Sequence, residues 1–245
     1  MSKNKLAKFE EMNAFENVIQ APYHSLKNNH FYLKGFWTAH FFKNNHPLIL
    51  ELGCGKGEYT VELAERFPGK NFIGVDIKGA RMWKGAKTAR EKKLENVAFL
   101  RTNIEIIDRF FGKDEVDEIW LTFPDPQMKK TRKRLTSTRF LNKYRTFLKR
   151  EGTIHLKTDS LFQYTYSCAL ARHNHFDILG QTGDLYQSAL LNEPLEIKTF
   201  YEKQWLNRGF SIKYLAFRLN DTTLEEPPVK PEKDPYRSFG RSARE

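Results

Sequence analysis

The chain has 245 residues, of which 40% are hydrophobic, and this length and composition predict one main domain with a single core. Its two cysteines, Cys54 and Cys168, are far apart and form no CxxC pair, which argues against a disulfide framework, a cysteine-ligated zinc site and redox chemistry. The formal net charge of +11 favours a polyanionic partner, whereas no apolar run of about 18 residues and no secretory signal is present, so we expect a cytoplasmic protein with no membrane partner.

Short apolar runs alternate with helical patterns from residue 47 onward, which predicts an α/β fold with helices on both faces of a sheet. The first 46 residues carry several aromatic side chains but no recognisable pattern, and we treat residues 1–46 as an N-terminal extension that could contact RNA. Continuous apolar runs predict five buried parallel strands, at 48–52, 71–76, 97–100, 118–123 and 153–157. The helical spacing of apolar residues predicts helices at 58–67, 79–93, 139–150 and 161–173.

The pattern changes after His173. A further helix is predicted at 199–209, and residues 176–182 and 211–219 predict an antiparallel hairpin that closes the sheet, giving seven strands in all. The charged, proline-containing tail, residues 221–245, is expected to lie extended or loose. The sequence therefore predicts a mostly parallel, Rossmann-like sheet in a main domain over residues 47–220.

A glycine-rich stretch, ELGCGKG at residues 51–57, follows the first predicted strand. Gly53 and Gly55 allow a tight turn and let a ligand approach the backbone where a β-carbon would collide. A dinucleotide-binding fingerprint would need its third glycine where Glu58 stands, and a P-loop would need Ser or Thr where Gly57 stands. Both of these nucleotide-binding motifs therefore fit poorly.

Two acids accompany the glycine-rich stretch, Glu51 at the end of the first strand and Asp76 at the end of the second. Asp76 could bind both hydroxyls of a ribose, and Glu51 could reach the ammonium group of an amino-acid ligand lying across the strand ends. This pattern is typical of class I S-adenosylmethionine-dependent methyltransferases, although an ordinary βα turn with an incidental acid would look similar. Asn103, after the third strand, could bind adenine in the same plan and is equally explained as a turn residue.

Asp125 stands between two prolines after the fourth strand, in the stretch FPDP. The prolines restrict the backbone and would hold the carboxylate in the crevice outside the strand ends, although a plain turn also uses Asp-Pro. Amino-methyltransferases of DNA and protein carry Asp/Asn-Pro-Pro-Tyr/Phe here, and this chain lacks the second consecutive proline and the aromatic. Ten basic residues and no acid lie between Lys129 and Arg150, which favours a polyanion, with a solvated helix face as the alternative.

Five blocks of the sequence, taken together, resemble one family. The stretches ELGCGKGEYT, VDIKGAR, FPDP followed by KK and KR, HLKTDS and TFYEKQW occur in the order found in the bacterial tRNA (guanine-N7-)-methyltransferase family, over roughly residues 47–219. The resemblance implies that the cofactor S-adenosylmethionine donates a methyl group to N7 of the guanosine at position 46, in the variable loop of tRNA. By position, it implies a cofactor site formed by Glu51, Gly53, Gly55, Asp76, Asn103 and Asp125. It likewise implies a substrate site formed by Lys129, Asp159, Thr199, Phe200, Tyr201 and Glu202.

The chemistry of guanine N7 suggests a catalytic role for Asp125. This nitrogen carries an in-plane lone pair and no proton, so the reaction needs alignment and tolerance of positive charge rather than a general base. Asp125 is predicted to accept hydrogen bonds from N1–H and N2–H₂ of guanine, which would orient the base and stabilise the charge. Lys130, Arg132, Lys133 and Arg134 are predicted to bind tRNA phosphates.

Three positions depart from the family pattern. Gln127 and Met128 stand where Trp-Pro or Trp-His is usual, and Asn103 stands where many members have Asp. The HxH formed by His173 and His175 has no third ligand nearby in the sequence, so no metal is expected.

Other interpretations stay open. Thr199 and Glu202 could form a capping box rather than a substrate contact. A methyltransferase for another RNA or for DNA would keep Glu51 and Asp76, and a non-catalytic RNA-binding module would keep the basic residues and lose cofactor affinity. The sequence does not decide between a monomer and a homodimer.

Overall fold

The structure is a computed structural model that describes residues 3–21, 26 and 30–237. Its strands are β1 (Val18–Gln20), β2 (Leu48–Leu52), β3 (Asn71–Asp76), β4 (Val97–Arg101), β5 (Val116–Thr122), β6 (Leu148–Thr158), β7 (Asp177–Thr182) and β8 (Lys213–Arg218). Its α-helices are α1 (Lys3–Asn13), α2 (Glu58–Arg66), α3 (Gly79–Glu91), α4 (Thr138–Tyr144), α5 (Leu161–His173), α6 (Glu193–Glu196) and α7 (Phe200–Asn207). Among the described helices, none has the length and apolar character needed to cross a membrane.

The central strands carry mainly apolar side chains because both faces of the sheet are covered. In β2, Leu48, Leu50 and Leu52 pack in one core cluster with side chains of α4 and α5. Ile49 packs in the opposite cluster with side chains of α2 and α3. Neighbouring residues of a strand point to opposite faces, so a strand buried on both sides needs apolar residues at nearly every position. The predicted α/β architecture is confirmed.

The eight strands form one sheet in the order β1-β4-β3-β2-β5-β6-β8-β7. Strands β2 to β6 pair in parallel with one another, and β8 pairs antiparallel with both β6 and β7. The predicted parallel strands and the antiparallel C-terminal pair are thus confirmed. The chain moves outward from β2 to β4 on one side and from β5 to β6 on the other, and ligands of open α/β sheets bind at the carboxyl ends of the strands at such a reversal.

One strand was not expected. β1 pairs in parallel with β4 at the edge of the sheet, where Ile19 lies opposite Leu100. It is three residues long, too short for a periodic pattern to show in the sequence. Within the part of the chain that the structure describes, the sheet therefore has eight strands rather than the predicted seven. The preceding helix α1 packs against α3, where Nε1 of Trp83 donates to a carboxylate oxygen of Glu11 at 2.7 Å.

The helix predicted at 139–150 is shorter in the structure, since α4 ends at Tyr144 and β6 begins at Leu148. The N–H of Val116 donates to the carbonyl oxygen of Phe147 at 3.1 Å, and Leu148 pairs with Val116 in the sheet. This pairing with β5 competes with the helical propensity of the Lys- and Arg-rich sequence. The prediction was wrong because the competing partner lies far away in the chain.

The C-terminal tail was expected to lie extended or loose, and its described part, residues 221–237, is extended and packed on the domain. After β8 the described residues contain no further strand or α-helix, and they end in a short 3₁₀ turn, Pro235–Arg237. Glu226 accepts hydrogen bonds from the hydroxyls of Thr138 at 2.7 Å and Tyr166 at 2.6 Å, and Asp234 is buried. These contacts hold the tail on the surface formed by α4 and α5.

Candidate active site

Glycines shape the turn after β2. Gly53 has a φ of 88°, and a β-carbon built there would have no non-neighbouring heavy atom within 4 Å, so its backbone borders open space that a ligand could occupy. At Gly57, with a φ of 70°, a β-carbon would lie 2.5 Å from Cε1 of Phe99, so glycine is required for α2 to pack closely on the sheet. Cys54, between these glycines, is buried, and burial raises the pKa of its thiol well above the ordinary value.

Glu51 carries a buried carboxylate near the end of β2. It accepts hydrogen bonds from the N–H of Thr60 at 3.0 Å and from the hydroxyls of Thr60 and Thr122. Burial raises the pKa of Glu51, and these hydrogen bonds offset part of the rise. Among the described residues no basic side chain forms an ion pair with it. An ammonium group of a ligand would supply the missing positive charge.

Asp76, at the end of β3, is tied to the glycine-rich turn. Its Oδ2 accepts a hydrogen bond from the N–H of Gly55 at 3.0 Å, and its Oδ1 accepts one from the N–H of Lys78 at 2.7 Å. Because β2 and β3 are adjacent and parallel, the turn, Glu51 and Asp76 lie together at one edge of the sheet. The structure therefore brings together the cofactor residues predicted on these two strands.

The residues that follow β4 differ in part from the expectation. Asn103 caps a 3₁₀ helix, Ile104–Arg109, by accepting a hydrogen bond from the N–H of Glu105 at 3.0 Å, so its side-chain oxygen is used locally. Two residues near this site were not among the predicted cofactor residues. Ile77 is apolar and 56% exposed, and the buried hydroxyl of Thr102 has no hydrogen-bond partner among the described residues. The available signals were an apolar residue directly after the strand-end acid and a hydroxyl directly before the predicted amide.

The FPDP turn after β5 has an unusual backbone. Phe123, its first residue, and Gln127, which follows it, have φ values of 50° and 48°, a region that residues other than glycine seldom adopt. The N–H of Phe123 donates to the carbonyl oxygen of Lys157 at 2.8 Å, which ties the turn to β6. Asp125 is exposed, and its Oδ1 accepts a hydrogen bond from the N–H of Gln127 at 3.0 Å. Asp125 is thus a turn residue that also presents its carboxylate at the surface, and strained turns of this kind cluster at functional sites.

Lys157 and Glu202 form a fully buried ion pair between β6 and α7. The ammonium of Lys157 donates to Glu202 at 2.9 Å and to two backbone carbonyl oxygens at 2.8 Å each, and the hydroxyl of Tyr186 donates to Glu202 at 2.6 Å. Thr199 caps α7 by accepting from the N–H of Glu202 at 3.2 Å. The structure supports the capping alternative for Thr199, and the predicted substrate contact of Glu202 is closed to solvent in this arrangement.

The first turn of α7 lies beside the glycine-rich turn. Phe200 and Tyr201 are 48% and 41% exposed, and the ammonium of Lys56 lies 4.2 Å from the centroid of the Phe200 ring. The N–H of Phe200 donates to a carboxylate oxygen of Glu58 at 2.8 Å. Lys56 was not among the predicted site residues, although its position between two glycines of the turn was a signal in the sequence. Together these side chains offer an exposed aromatic surface next to a cation.

Asp159 follows β6 but its side chain is buried. Its Oδ2 accepts a hydrogen bond from the hydroxyl of Tyr236 at 2.9 Å, and its backbone carbonyl oxygen accepts one from the ammonium of Lys213 at 3.1 Å. The predicted substrate residue therefore lies at the expected edge of the sheet and is covered by the C-terminal tail.

The basic residues after Asp125 separate into two groups. Lys129, Lys130 and Arg132 are exposed, and Lys133 is exposed with its ammonium 3.3 Å from a carboxylate oxygen of Glu105. These side chains are available to a polyanion.

Arg134 departs from the prediction of a phosphate contact. It is 6% exposed, its guanidinium lies 4.7 Å and 4.3 Å from the ring centroids of Phe162 and Tyr166, and its Nε donates to the carbonyl oxygen of Gln127 at 3.4 Å. A buried guanidinium that packs between rings and holds a backbone carbonyl acts as a structural support for the FPDP turn.

The chain is similar in sequence to known methyltransferases. A family model described as "Putative methyltransferase" matches residues 45–215. A tRNA (guanine-N(7)-)-methyltransferase of Bacteroides thetaiotaomicron is 56% identical over 245 residues, which covers 100% of this chain and 97% of the relative. Proteins of the same name from Christiangramia forsetii and Clostridium novyi are 54% and 36% identical, covering 89% and 76% of this chain and 99% and 87% of the relatives.

Solved structures resemble the fold at low sequence identity. The crystal structure of the 16S rRNA methyltransferase KamB gives a TM-score of 0.56 at 13% identity, covering 74% of this chain and 91% of that one. A structure of an antibiotic-related methyltransferase gives a TM-score of 0.54 at 16% identity, covering 73% and 90%. At these identities the likeness concerns the fold alone, and it confirms the predicted class I methyltransferase architecture.

Proposed function

This chain belongs to the tRNA (guanine-N(7)-)-methyltransferase family, and we propose that it transfers a methyl group from S-adenosylmethionine to N7 of a guanosine in tRNA, at position 46 of the variable loop. The observation that carries the proposal is the meeting of the glycine-rich turn, Asp76 and the exposed Asp125 at the carboxyl ends of adjacent strands. The full-length identity of 56% to a relative with this named activity supports it.

The ends of β2, β3 and β4 fit S-adenosylmethionine. The carboxylate of Glu51 suits the ammonium group of the ligand, Asp76 suits its ribose hydroxyls, and the open space at Gly53 leaves room for the ligand beside the backbone. The exposed apolar side chain of Ile77 suits adenine, and the unpartnered hydroxyl of Thr102 offers a further polar contact. When bound, S-adenosylmethionine supplies an electrophilic methyl group on its sulfonium sulfur.

Asp125 acts on the guanine in this proposal. Its carboxylate accepts hydrogen bonds from N1–H and N2–H₂, which aligns N7 and stabilises the positive charge that grows on the purine. No proton leaves N7 because it carries none. The hydrogen bond from Gln127 and the flanking prolines limit the movement of the carboxylate, so its alignment is set before the substrate arrives.

The surface around Asp125 supports tRNA as the substrate. The exposed side chains of Lys129, Lys130 and Arg132 would bind phosphates, which supplies affinity with little base information. The target base is engaged in tRNA tertiary structure and must be extruded before transfer. Phe200 and Tyr201 offer rings on which an extruded base could stack.

The test is incubation with labelled S-adenosylmethionine and an unmodified tRNA transcript, followed by mapping of the labelled nucleoside. We expect 7-methylguanosine at position 46 and no label in a transcript with adenosine there. If calorimetry shows S-adenosylmethionine binding but neither transcript is labelled, the substrate is another nucleic acid. If the protein binds tRNA and no S-adenosylmethionine, the protein is an RNA-binding module and the proposal fails.

A further inference from the structure

The C-terminal residues 225–237, named here the strap, lie outside the residues that the family model matches. One end of the strap is attached next to the basic residues. Glu226 accepts hydrogen bonds from the N–H of Thr138 at 3.1 Å, from the hydroxyl of Thr138 at 2.7 Å and from the hydroxyl of Tyr166 at 2.6 Å. The ring of Tyr166 in turn lies 4.3 Å from the guanidinium of Arg134, which supports the FPDP turn.

The other end of the strap is attached at the start of α5. Asp234 is buried, and its carboxylate accepts hydrogen bonds from the hydroxyl of Ser160 and, at 3.1 Å, from the N–H of Phe162. A carboxylate at this position satisfies an N–H that the helix itself leaves unpaired. Because Ser160 directly follows Asp159, this contact also fixes the loop that carries Asp159.

Tyr236 contacts two elements that carry predicted substrate residues, the loop after β6 and α7. Its hydroxyl lies 2.9 Å from Oδ2 and 3.2 Å from the backbone carbonyl oxygen of Asp159. Its ring centroid lies 4.5 Å from that of Phe210 and 5.2 Å from that of Trp205, at the end of α7. One tyrosine therefore contacts the loop after β6 with its hydroxyl and the end of α7 with its ring.

We propose that the strap orders the tRNA side of the site and that Tyr236 is a positioning residue that acts through Asp159. The inference rests on the proposed tRNA methyl transfer, because it takes Asp159 and α7 as the substrate side. A buried carboxylate needs hydrogen-bond partners, and the Tyr236 hydroxyl fixes the geometry of Asp159. A surface ordered in advance loses less conformational freedom when tRNA binds, so the strap raises affinity for tRNA.

The decisive variant is Tyr236→Phe, which removes the hydroxyl and keeps the ring. We expect its tRNA affinity by filter binding, and its KM for tRNA, to worsen by about tenfold or more, as for a lost hydrogen bond to a charged group. We expect kcat to stay within about twofold and S-adenosylmethionine affinity to stay unchanged, since the strap contacts described above lie on the tRNA side. The matched control is Tyr164→Phe, a half-buried tyrosine on α5, which should leave all these values unchanged.

A double-mutant cycle separates positioning from general stability. Asp159→Ala should weaken tRNA binding on its own, and adding Tyr236→Phe to it should cause no further loss if the hydroxyl acts through Asp159. Additive losses would contradict the proposal that Tyr236 acts through Asp159. If Tyr236→Phe binds tRNA as tightly as wild type or more tightly, the proposed role of the strap in tRNA binding is wrong. Failure of the proposed function would give a different result, because the wild-type protein would then not methylate tRNA. The tRNA affinities of the variants relative to wild type would still test the role of the strap.

Discussion

At the scale of single residues, the backbone of the FPDP turn determines what a substitution of Asp125 can test. In Asp125→Asn the amide oxygen can still accept from the N–H of Gln127, so the turn should survive. The variant loses the negative charge and turns an N–H₂ group toward one of the two guanine donors. We expect single-turnover methyl transfer at saturating cofactor to fall about 10²–10³-fold, as for other preorganised electrostatic groups. Affinity for tRNA, held mainly by phosphates, should change by less than about tenfold.

The matched control for this variant is Asp221→Asn, which changes the same charge at an exposed position of the tail. Both variants should be measured by single-turnover transfer beside a filter-binding titration at one salt concentration. If Asp125→Asn transfers methyl groups at the wild-type rate, Asp125 is only a turn residue and the mechanism must be abandoned.

Asp76 allows a separate test of the cofactor side. Asp76→Ala removes the predicted ribose acceptor and also the acceptor for the N–H of Gly55, so the glycine-rich turn should loosen. We expect S-adenosylmethionine affinity by calorimetry to weaken by about 1.5–3 kcal/mol, while tRNA affinity stays nearly unchanged. Asp76→Asn keeps an acceptor for the N–H of Gly55, so its S-adenosylmethionine affinity should lie between those of wild type and Asp76→Ala. Equal cofactor affinity in wild type and Asp76→Ala would contradict the assignment.

Residue spacing predicted which side chains share an edge of the sheet but not which partners each would find. Glu51, Asp76 and Asp125 lie at or just after the carboxyl ends of three neighbouring parallel strands, and such ends meet at one side of the sheet. Because Arg134 lies in a run of basic residues, the sequence predicts that its charge is at the surface. In the structure, aromatic rings of α5 bury it. Asn103 uses its oxygen for a local cap, an outcome that the sequence left open.

At the scale of elements, the segment after the FPDP turn can be tested through its salt dependence. Changing Lys130 and Arg132 together to Ala should reduce the slope of log affinity against log salt by roughly one to two units, with similar losses for all tRNAs, because each phosphate contact releases counterions. Lys92→Ala with Lys93→Ala, exposed after α3 at the opposite edge of the sheet, is the matched control. An unchanged slope in the first pair would mean that the segment is only a solvated surface.

Elements with a long and continuous pattern were predicted well. Strands β2 to β5 contribute apolar side chains to the core clusters on both faces of the sheet, as a parallel sheet covered by helices requires, so their positions follow from the sequence. β1 was missed because three residues show no period. The boundary between α4 and β6 was misplaced because β5, some thirty residues away, decides it through Val116 and Phe147.

At the scale of the whole molecule, the buried pair of Lys157 and Glu202 links β6 of the sheet to α7. Burial lowers the pKa of Lys157 and raises that of Glu202. The charge of each residue opposes the pKa shift of the other. Lys157→Met or Glu202→Leu alone leaves an uncompensated buried charge, so we expect the free energy of unfolding to fall by about 3–5 kcal/mol. Urea denaturation followed by circular dichroism measures this loss.

The double variant Lys157→Met/Glu202→Leu is the control for this prediction. It removes both charges, so its destabilisation should be smaller than the sum of the two single losses. Single variants as stable as wild type would show that the pair is not buried in solution. This pair could not be predicted from the sequence, because the two residues are distant in the chain and charged side chains usually lie at the surface.

Both cysteines of the chain, Cys54 in the glycine-rich turn and Cys168 in α5, are buried and unpaired. Burial raises the pKa of each thiol, to about 11 for Cys168, so little thiolate exists near neutral pH to react with alkylating reagents. A single cysteine introduced at Leu161, which is 57% exposed at the start of α5, would therefore take a maleimide fluorophore selectively. Such a dye would stand one residue from Ser160, on the tRNA side, and would let the arrival and departure of tRNA be followed in real time with both native cysteines left in place.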